Sequence, residues 1–232
     1  MNARIKLLGI ILAIIGIGFI GIGAFAALQV KAGNDSLQAF SEAQNVTLTY
    51  NEEGQLVDRG EVEGAEAIKS LVEDDWNYSL KSWEMDANDP LVNTGSEYMY
   101  QMGLVAYHTL SGTTEVTLAE PVEYNGETFE AGTYEVATDG RYWADFDRMH
   151  PLEGQAREAA WTPTAHALIG ELGVGSVTAN VLVLGLGTAA IAAGLGLTLI
   201  LAGLGLVWVS RADKPALKEA PAIEKIDEPA TV

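Results

Sequence analysis

The chain has 232 residues, no cysteine and a formal net charge of −19 at pH 7. Without cysteine there is no disulfide framework, zinc–thiolate site or thiol nucleophile. The acidic balance argues against nucleic acid as a partner, because lysine and arginine are needed to contact phosphates. It argues equally against electrostatic docking on a surface of anionic lipid headgroups.

Two uncharged apolar runs dominate the hydropathy pattern, at residues 7–30 and 181–209. A helix of about 20 apolar residues crosses the hydrocarbon core of a bilayer, and both runs exceed that length. The sequence therefore predicts an integral membrane protein with two transmembrane helices that form a helical hairpin anchor.

Charge is distributed unevenly around these runs. Residues 29–185 contain 27 acidic and 7 basic residues, a net charge of −20, whereas Arg4 and Lys6 precede the first run. Arg211, Lys214 and Lys218 follow the second run. Because basic flanks stay in the cytoplasm, we expect a multi-pass protein of the plasma membrane with both termini cytoplasmic and the acidic middle extracytoplasmic.

The predicted organisation has four parts. Residues 1–30 form the N-terminal anchor, and residues 31–162 form one acidic extracytoplasmic α+β domain. Residues 163–210 are a helix that continues into the second span. Residues 211–232 are rich in Pro, Ala, Glu and Lys, a composition that predicts a disordered cytoplasmic tail.

The first run also has a second interpretation. A basic lead, an apolar core and the small-residue motif Ala24-Phe25-Ala26 are typical of a cleaved secretory signal peptide. The run is longer than the roughly 7–15 residues of a usual signal-peptide core. This length favours an uncleaved anchor.

Small residues recur along one face of each predicted span. Such stripes let two helices approach closely in a membrane. They predict packing of the spans on each other, on partner subunits or on a second copy. The proposed packing positions are Gly9, Gly16 and Gly23 in the first run and Ala189, Gly196 and Gly203 in the second.

Between the runs, the pattern indicates a mixture of helices and strands. Residues 46–50 (VTLTY) alternate like a strand, and residues 65–72 have helical spacing. Thr94 and Glu97 fit a capping box that opens a further helix. Asn125-Gly126 is a type I′ hairpin signal between two alternating segments.

The remaining elements follow from the same rules. Pro151 begins a helix through Ala160, and Thr162-Pro163 is an N-cap followed by proline at the first helical position. The predicted buried face of the strands consists of Val116, Leu118, Val122, Tyr124, Phe129, Tyr134 and Val136.

Two acidic pairs are candidate cation sites. Asp145 and Asp147 would share a face at strand spacing, where they could bind a hard cation or act as an acid/base pair. Asp86 with Asp89 resembles part of a calcium loop. Carboxylate oxygens suit Ca²⁺, so these four residues are the proposed metal ligands. The alternative is that Asp145 and Asp147 pair locally with Arg141 or Arg148.

Other catalytic signals are absent from the sequence. His108, His150 and His166 lack the i, i+4 spacing of a helical metal site, and no nucleophile-elbow or phosphate-loop motif follows a suitable strand. The runs contain no ionisable residue, which disfavours ion or proton transport. We therefore expect no enzymatic activity and no cofactor other than Ca²⁺.

The segment GRYWADFDRMHP, residues 140–151, precedes a polar helix and a glycine-rich run. This arrangement resembles a family of small two-span actinobacterial membrane proteins, which often carry the automatic label aromatic ring-opening dioxygenase. The resemblance implies two spans and an outside domain. It rests on the spans and on Gly140, Arg141, Tyr142, Ala144, Asp145 and Asp147.

Residues 57–110 form an insertion relative to that family's pattern, so the resemblance does not extend to most of the outer domain. An iron-dependent activity would need a set of histidine and carboxylate ligands, which is not recognisable in this sequence. The sequence thus predicts an accessory or scaffolding subunit of a membrane complex. The alternatives are a cation-sensing module and an acidity that reflects adaptation to salt or acid.

Overall fold

A computed structural model of the chain describes residues 2–211. The five α-helices in this part are α1 (Asn2–Gln44), α2 (Val62–Ser70), α3 (Gly95–Thr109), α4 (Glu153–Ala160) and α5 (Pro163–Ser210). The four strands are β1 (Thr113–Leu118), β2 (Val122–Tyr124), β3 (Glu127–Phe129) and β4 (Gly132–Ala137). The predicted tail, apart from Arg211, lies outside the described residues, as do Lys214 and Lys218.

Helices α1 and α5 contain the two apolar runs. They have 43 and 48 residues, and both are long and apolar enough to cross a membrane. Two long apolar helices therefore flank a small α/β region. This arrangement supports the prediction of a membrane protein with two spans.

The chain folds as two compact units. Within the described residues, one unit contains residues 2–24 together with residues 190–211, and the other contains Phe25–Ala189. The second unit is larger than the predicted domain of residues 31–162, because both long helices contribute residues to it. Leu37 of α1 and Leu172 of α5 pack in its hydrophobic core.

Helix α3 is central to the second unit. The backbone N–H of Glu97 donates to Thr94 Oγ1 at 3.3 Å, and the backbone N–H of Thr94 donates to Glu97 Oε2 at 2.9 Å. The predicted capping box is therefore confirmed. Two buried clusters lie around the helix, because its residues contribute to both.

The first cluster joins α3 to α2, to α5 and to the extended segments around Leu48 and Val92. Its buried members are Leu48, Leu56, Ala65, Ile68, Val92, Tyr98, Tyr100 and Leu172. The second joins α3 to β1 and α4, and its members are Leu71, Ala106, Leu110, Val116, Phe146, Ala156 and Trp161.

The strands form two antiparallel pairs. Strand β1 pairs with β4, with Val116 opposite Tyr134, and β2 pairs with β3. Asn125 and Gly126 both have positive φ, 53° and 83°, as a type I′ turn requires. The predicted hairpin is confirmed, and it is inserted between the two strands of the longer pair.

Three local predictions need correction. Residues 46–50 form only isolated bridges, at Thr47 with Leu91 and at Tyr50 with Leu56. The segment is extended, but its hydrogen bonds are divided between two short partner segments, one around Leu91 and one around Leu56. Val122 is exposed, because the β2–β3 pair extends away from the core. Helix α4 begins at Glu153, two residues after the predicted start.

Candidate functional site

The first candidate cation pair lies in a tight turn. The backbone N–H and the side-chain amide of Asn88 both donate to Asp86 Oδ1 at 2.9 Å, and the N–H of Asp89 donates to the carbonyl of Asp86 at 3.0 Å. These hydrogen bonds from Asn88 lower the pKa of the Asp86 carboxyl. The carboxylate therefore stabilises its own turn.

The second pair does not share a face of a strand. Trp143–Asp145 is a 3₁₀ turn, so the predicted strand spacing was wrong. Asp145 Oδ2 accepts from the N–H of Tyr142 at 2.7 Å. Asp147 accepts from the hydroxyl of Tyr124 at 2.5 Å and from the N–H of Met149 at 2.9 Å.

Hydrogen bonds lower the pKa of the Asp147 carboxyl, and the hydrogen bond from Tyr124 has the largest effect. Arg141, one of the two predicted local partners, donates to the carbonyl of Asp145 and pairs with Glu153 at 2.9 Å. Each of these two carboxylates therefore already has local donors. Within residues 2–211, no group of three or more His, Asp or Glu side chains is arranged to hold a metal ion.

The three histidines have separate structural settings. His108 Nε2 lies 3.0 Å from Asp58 Oδ1. His150 Nδ1 accepts from the N–H groups of Leu152 and Glu153 at 3.2 and 3.3 Å, so it caps the start of α4. His166 lies edge-on to the ring of Trp143, with centroids 4.9 Å apart.

In the first unit, the glycine stripes face each other. A Cβ atom added at Gly9 would lie 2.5 Å from the carbonyl oxygen of Gly203, and one added at Gly16 would lie 2.6 Å from that of Gly196. The backbones therefore approach too closely for any side chain at these positions. Gly23 is also buried, and so is Ala189, which belongs to the second unit.

In the second unit, α1 and α5 pack on each other through another pair of glycines. A Cβ at Gly33 would lie 2.8 Å from Leu182 Cδ2, and one at Gly185 would lie 2.8 Å from Val30 Cγ2. Because these contacts are with side chains, the helices are further apart here than a backbone contact would place them.

Both helices are hydrogen-bonded to α3. The buried hydroxyl of Ser41 on α1 lies 2.7 Å from the hydroxyl of Tyr98, and the buried hydroxyl of Ser176 on α5 donates to the carbonyl of Gly95 at 3.0 Å. The side chain of Gln38 donates to the carbonyl of Asn93 at 3.4 Å. Residues 93–95 therefore bridge the two long helices.

A polar network surrounds the first turn of α3. Glu84 Oε2 accepts from the N–H and hydroxyl of Ser96 at 2.9 and 2.7 Å, and Glu84 Oε1 accepts from Lys81 Nζ at 2.9 Å. Lys81 also donates to the side chain of Asn180 at 3.2 Å, and Asn180 donates to the hydroxyl of Tyr78 at 3.0 Å.

The pKa values of two glutamates in this region are shifted in opposite directions. Burial by itself raises the pKa of Glu84, but the hydrogen bonds from Ser96 and Lys81 outweigh it and leave the pKa below its usual 4.5. Burial dominates at Glu97, whose pKa is raised. Burial also raises the pKa of Tyr50 to about 12.

Beside this network is a groove of about 420 Å³. It is bounded by α1, by α5 and by the segment that leads into α3. The apolar part of its lining is Ala27, Val30, Leu37, Ala179, Leu182, Val183 and Leu186. The polar part is Lys31, Asn34, Gln38, Glu84, Asn93, Thr94, Gly95 and Asn180.

No motif in the sequence predicts this groove. Its lining residues are 27–38, 84–95 and 179–186 in the chain, so no local motif contains them. The only available signal was the change from apolar to polar residues at the end of the first run, near Lys31.

We compared the chain with protein-family models, with curated proteins and with solved structures, and none of the three comparisons gives a match.

Proposed function

We propose that the protein is a non-enzymatic accessory or scaffolding subunit of a membrane complex. In this proposal, α1 and α5 are the transmembrane helices, and the acidic α/β region is presented on the extracytoplasmic side. The partners are other integral membrane proteins, in the plasma membrane.

One observation carries the proposal. The apolar helices do not end in loops before the α/β region but continue into it as part of its core. Leu37 and Leu172 pack in the first cluster, and Ser41 and Ser176 are hydrogen-bonded to α3. A region built around two such helices is suited to binding a neighbour in the same membrane.

Exposed aromatic and sulfur-containing side chains supply a surface for that neighbour. Trp83 is 79% exposed and Met149 is 71% exposed, and Tyr142 and Trp143 are each 39% exposed. Trp, Tyr and Met are enriched at the cores of protein interfaces. Their presence on an otherwise acidic surface supports a role in protein binding.

Glycines outside the helix–helix contact supply a second surface. Gly18 and Gly194, both in the first unit, have no heavy atom within 4 Å of an added Cβ. Because the stripe through Gly9 and Gly16 packs within the chain, a partner helix would use the opposite side of the pair. Small residues are favoured at such contacts.

The packing of the first run also supports its retention as an anchor. A cleaved signal peptide has no need of backbone contacts with a distant helix, yet Gly9 lies against Gly203 and Gly16 against Gly196. The mass of the mature protein tests this point. A chain that begins after Ala26 would contradict it.

The absence of cysteine makes the orientation directly testable. A single cysteine at the exposed position Thr128 should react with a membrane-impermeant maleimide in intact cells. A cysteine at Arg211 should react only after the cells are permeabilised. The reverse pattern would show that the acidic region is cytoplasmic.

The subunit role is tested by the composition of the native complex. Membranes are treated with a bifunctional cross-linker, solubilised in mild detergent and separated by size, and the protein's complex is analysed by mass spectrometry. We expect a second integral membrane protein at fixed stoichiometry, and a lower yield of it with Trp83→Ala and Met149→Ala. Recovery of only the free monomer would refute the proposal.

A further inference from the structure

The groove between α1 and α5 has an apolar end and a polar end. Ala27, Val30, Val183 and Leu186 line the apolar end and belong to the two uncharged runs. The polar end begins one residue beyond the first run, at Lys31. The change in polarity along the groove therefore coincides with the expected boundary between hydrocarbon and headgroups.

We propose that this groove binds one phospholipid with a zwitterionic headgroup. The acyl chains lie against Val30, Val183 and Leu186, and the phosphate is bound by Lys31 and the side-chain amide of Asn34. The inference rests on the proposed position of α1 and α5 in a membrane, but not on the presence of a partner protein.

The closed end of the groove favours a lipid over a third helix. At about 420 Å³, the groove holds part of a phospholipid, and the rest of the acyl chains lies in the bilayer. Residues 93–95 close the polar end, because they are hydrogen-bonded to Gln38 on one side and Ser176 on the other. A transmembrane helix would collide with this bridge, whereas a lipid ends at its headgroup.

The local charges fit a phosphate. Glu84 is already neutralised by Lys81 at 2.9 Å, so it does not oppose an anion as strongly as a free carboxylate would. Within residues 2–211, the ion-pair partner of Lys31 is Asp35, in an exposed pair, and such pairs contribute little to stability. The ammonium of Lys31 therefore has donors free for a phosphate oxygen.

The charge of the whole region selects the headgroup. Residues 29–185 have a net charge of −20, which repels a lipid with a net negative charge. A headgroup that carries an ammonium beside its phosphate has no net charge, so it satisfies Lys31 without this repulsion. We therefore expect phosphatidylethanolamine to bind more tightly than phosphatidylglycerol.

The experiment uses the full chain, purified in detergent and titrated with dioleoyl phosphatidylethanolamine during native mass spectrometry. We expect one lipid per chain to be retained. Leu186→Trp fills the groove and should reduce retention about tenfold. Leu184→Trp is the matched control, because Leu184 is on the same helix, 70% exposed and outside the groove, and it should retain the lipid.

A second pair of variants tests the polar end. Lys31→Glu should weaken binding about tenfold, since a hydrogen bond between charged groups is lost. Lys69→Glu makes the same charge change on α2, away from the groove, and should have no effect. Equal retention by the Leu186 and Leu184 variants, or equal binding of phosphatidylglycerol, would overturn the inference.

Two further measurements distinguish a failure of the lipid site from a failure of the proposed function. Phosphorylethanolamine, the headgroup without acyl chains, should not compete with the lipid, and effective competition would show that the apolar end is not used. If maleimide labelling confirms the membrane orientation while lipid retention is unaffected by Leu186→Trp, the inference about the groove fails and the proposed function stands. A cytoplasmic acidic region would instead refute the orientation on which both depend.

Discussion

Glycine has a different role in each of the two units. In the pair of apolar helices, Gly9 and Gly16 meet the backbone carbonyls of Gly203 and Gly196. In the α/β region, two helical glycines instead meet side chains: Gly175 meets the ring of Tyr98, and Gly103 meets Val72. The first kind of contact brings two helices together, and the second makes room for a core side chain.

This difference is what the proposed membrane position of the two apolar helices predicts. Lipid offers no hydrophobic driving force between helices, so close backbone packing must hold them together. Water drives apolar side chains such as Tyr98 and Val72 into a core, and glycine provides the space for them. Substitutions at the two kinds of glycine should therefore fail for different reasons.

The largest effect is expected at the backbone contact. Gly16→Val should destabilise the helix pair by about 3 kcal/mol, because neither helix backbone can move away without separating the pair. Unfolding by SDS in mixed micelles would measure the loss. Gly18→Val is the control, since nothing lies within 4 Å of an added Cβ there, and equal losses would show that the stripe is not a contact.

A smaller effect is expected at Gly175. An added methyl would lie 2.5 Å from the ring of Tyr98, whose hydroxyl is hydrogen-bonded to Ser41. Gly175→Ala should cost about 1–3 kcal/mol in urea unfolding. Combining it with Tyr98→Leu should recover part of that loss, because the ring is then absent, and simple additivity would contradict the contact.

Gly170→Ala is the matched control for this cycle. It is on the same helix and has no heavy atom within 4 Å of an added Cβ. Because alanine is the better helix former, this variant should be neutral or slightly stabilised.

The polar network predicts a dependence on pH. The folded-state pKa of Glu84 is below 4.5, so its contribution to stability is present above pH 4.5 and is lost as the pH falls through the folded-state value. Glu84→Gln should cost about 1 kcal/mol at pH 7. The difference from the unmodified protein should shrink as the pH falls toward the folded-state value, as urea unfolding at several pH values would show.

Glu97 acts in the opposite direction, because its folded-state pKa is raised and its contribution decreases as the pH rises above 4.5. Glu97 is present in both the Glu84→Gln variant and the unmodified protein, so its effect on the free energy of unfolding cancels in the difference between them. Glu53→Gln, at an exposed turn, is the control and should leave the free energy of unfolding unchanged at pH 7. A pH-independent loss in Glu84→Gln would mean that its charge has no part in the network.

The smallest effect is expected from calcium. An extracellular-type site with a dissociation constant of about 1 mM would add roughly 1.4 kcal/mol at about 10 mM Ca²⁺. Because Asp86 and Asp147 already accept hydrogen bonds from Asn88 and Tyr124, we expect no more stabilisation from Ca²⁺ than from Mg²⁺. A Ca²⁺-specific rise that Asp147→Asn abolishes would instead support a cation-sensing module.

The sequence alone predicted the features that depend on neighbouring residues. The two apolar helices, the capping box of Thr94 with Glu97 and the hairpin at Asn125 all appear where local rules place them. Each depends on a physical effect that acts within a few residues: hydropathy over one helix, a side chain bonded to a nearby N–H, or a positive φ at a turn.

Tertiary structure decided everything that joins distant segments. Residues 46–50 lack a regular strand because two different segments share their hydrogen bonds. Asp145 and Asp147 have different partners because Asp145 lies in a 3₁₀ turn and accepts from Tyr142, whereas Asp147 accepts from Tyr124, 23 positions away. The groove at Lys31 exists because residues 93–95 bridge α1 and α5, and contacts between residues about 80 positions apart leave no periodic signal in the sequence.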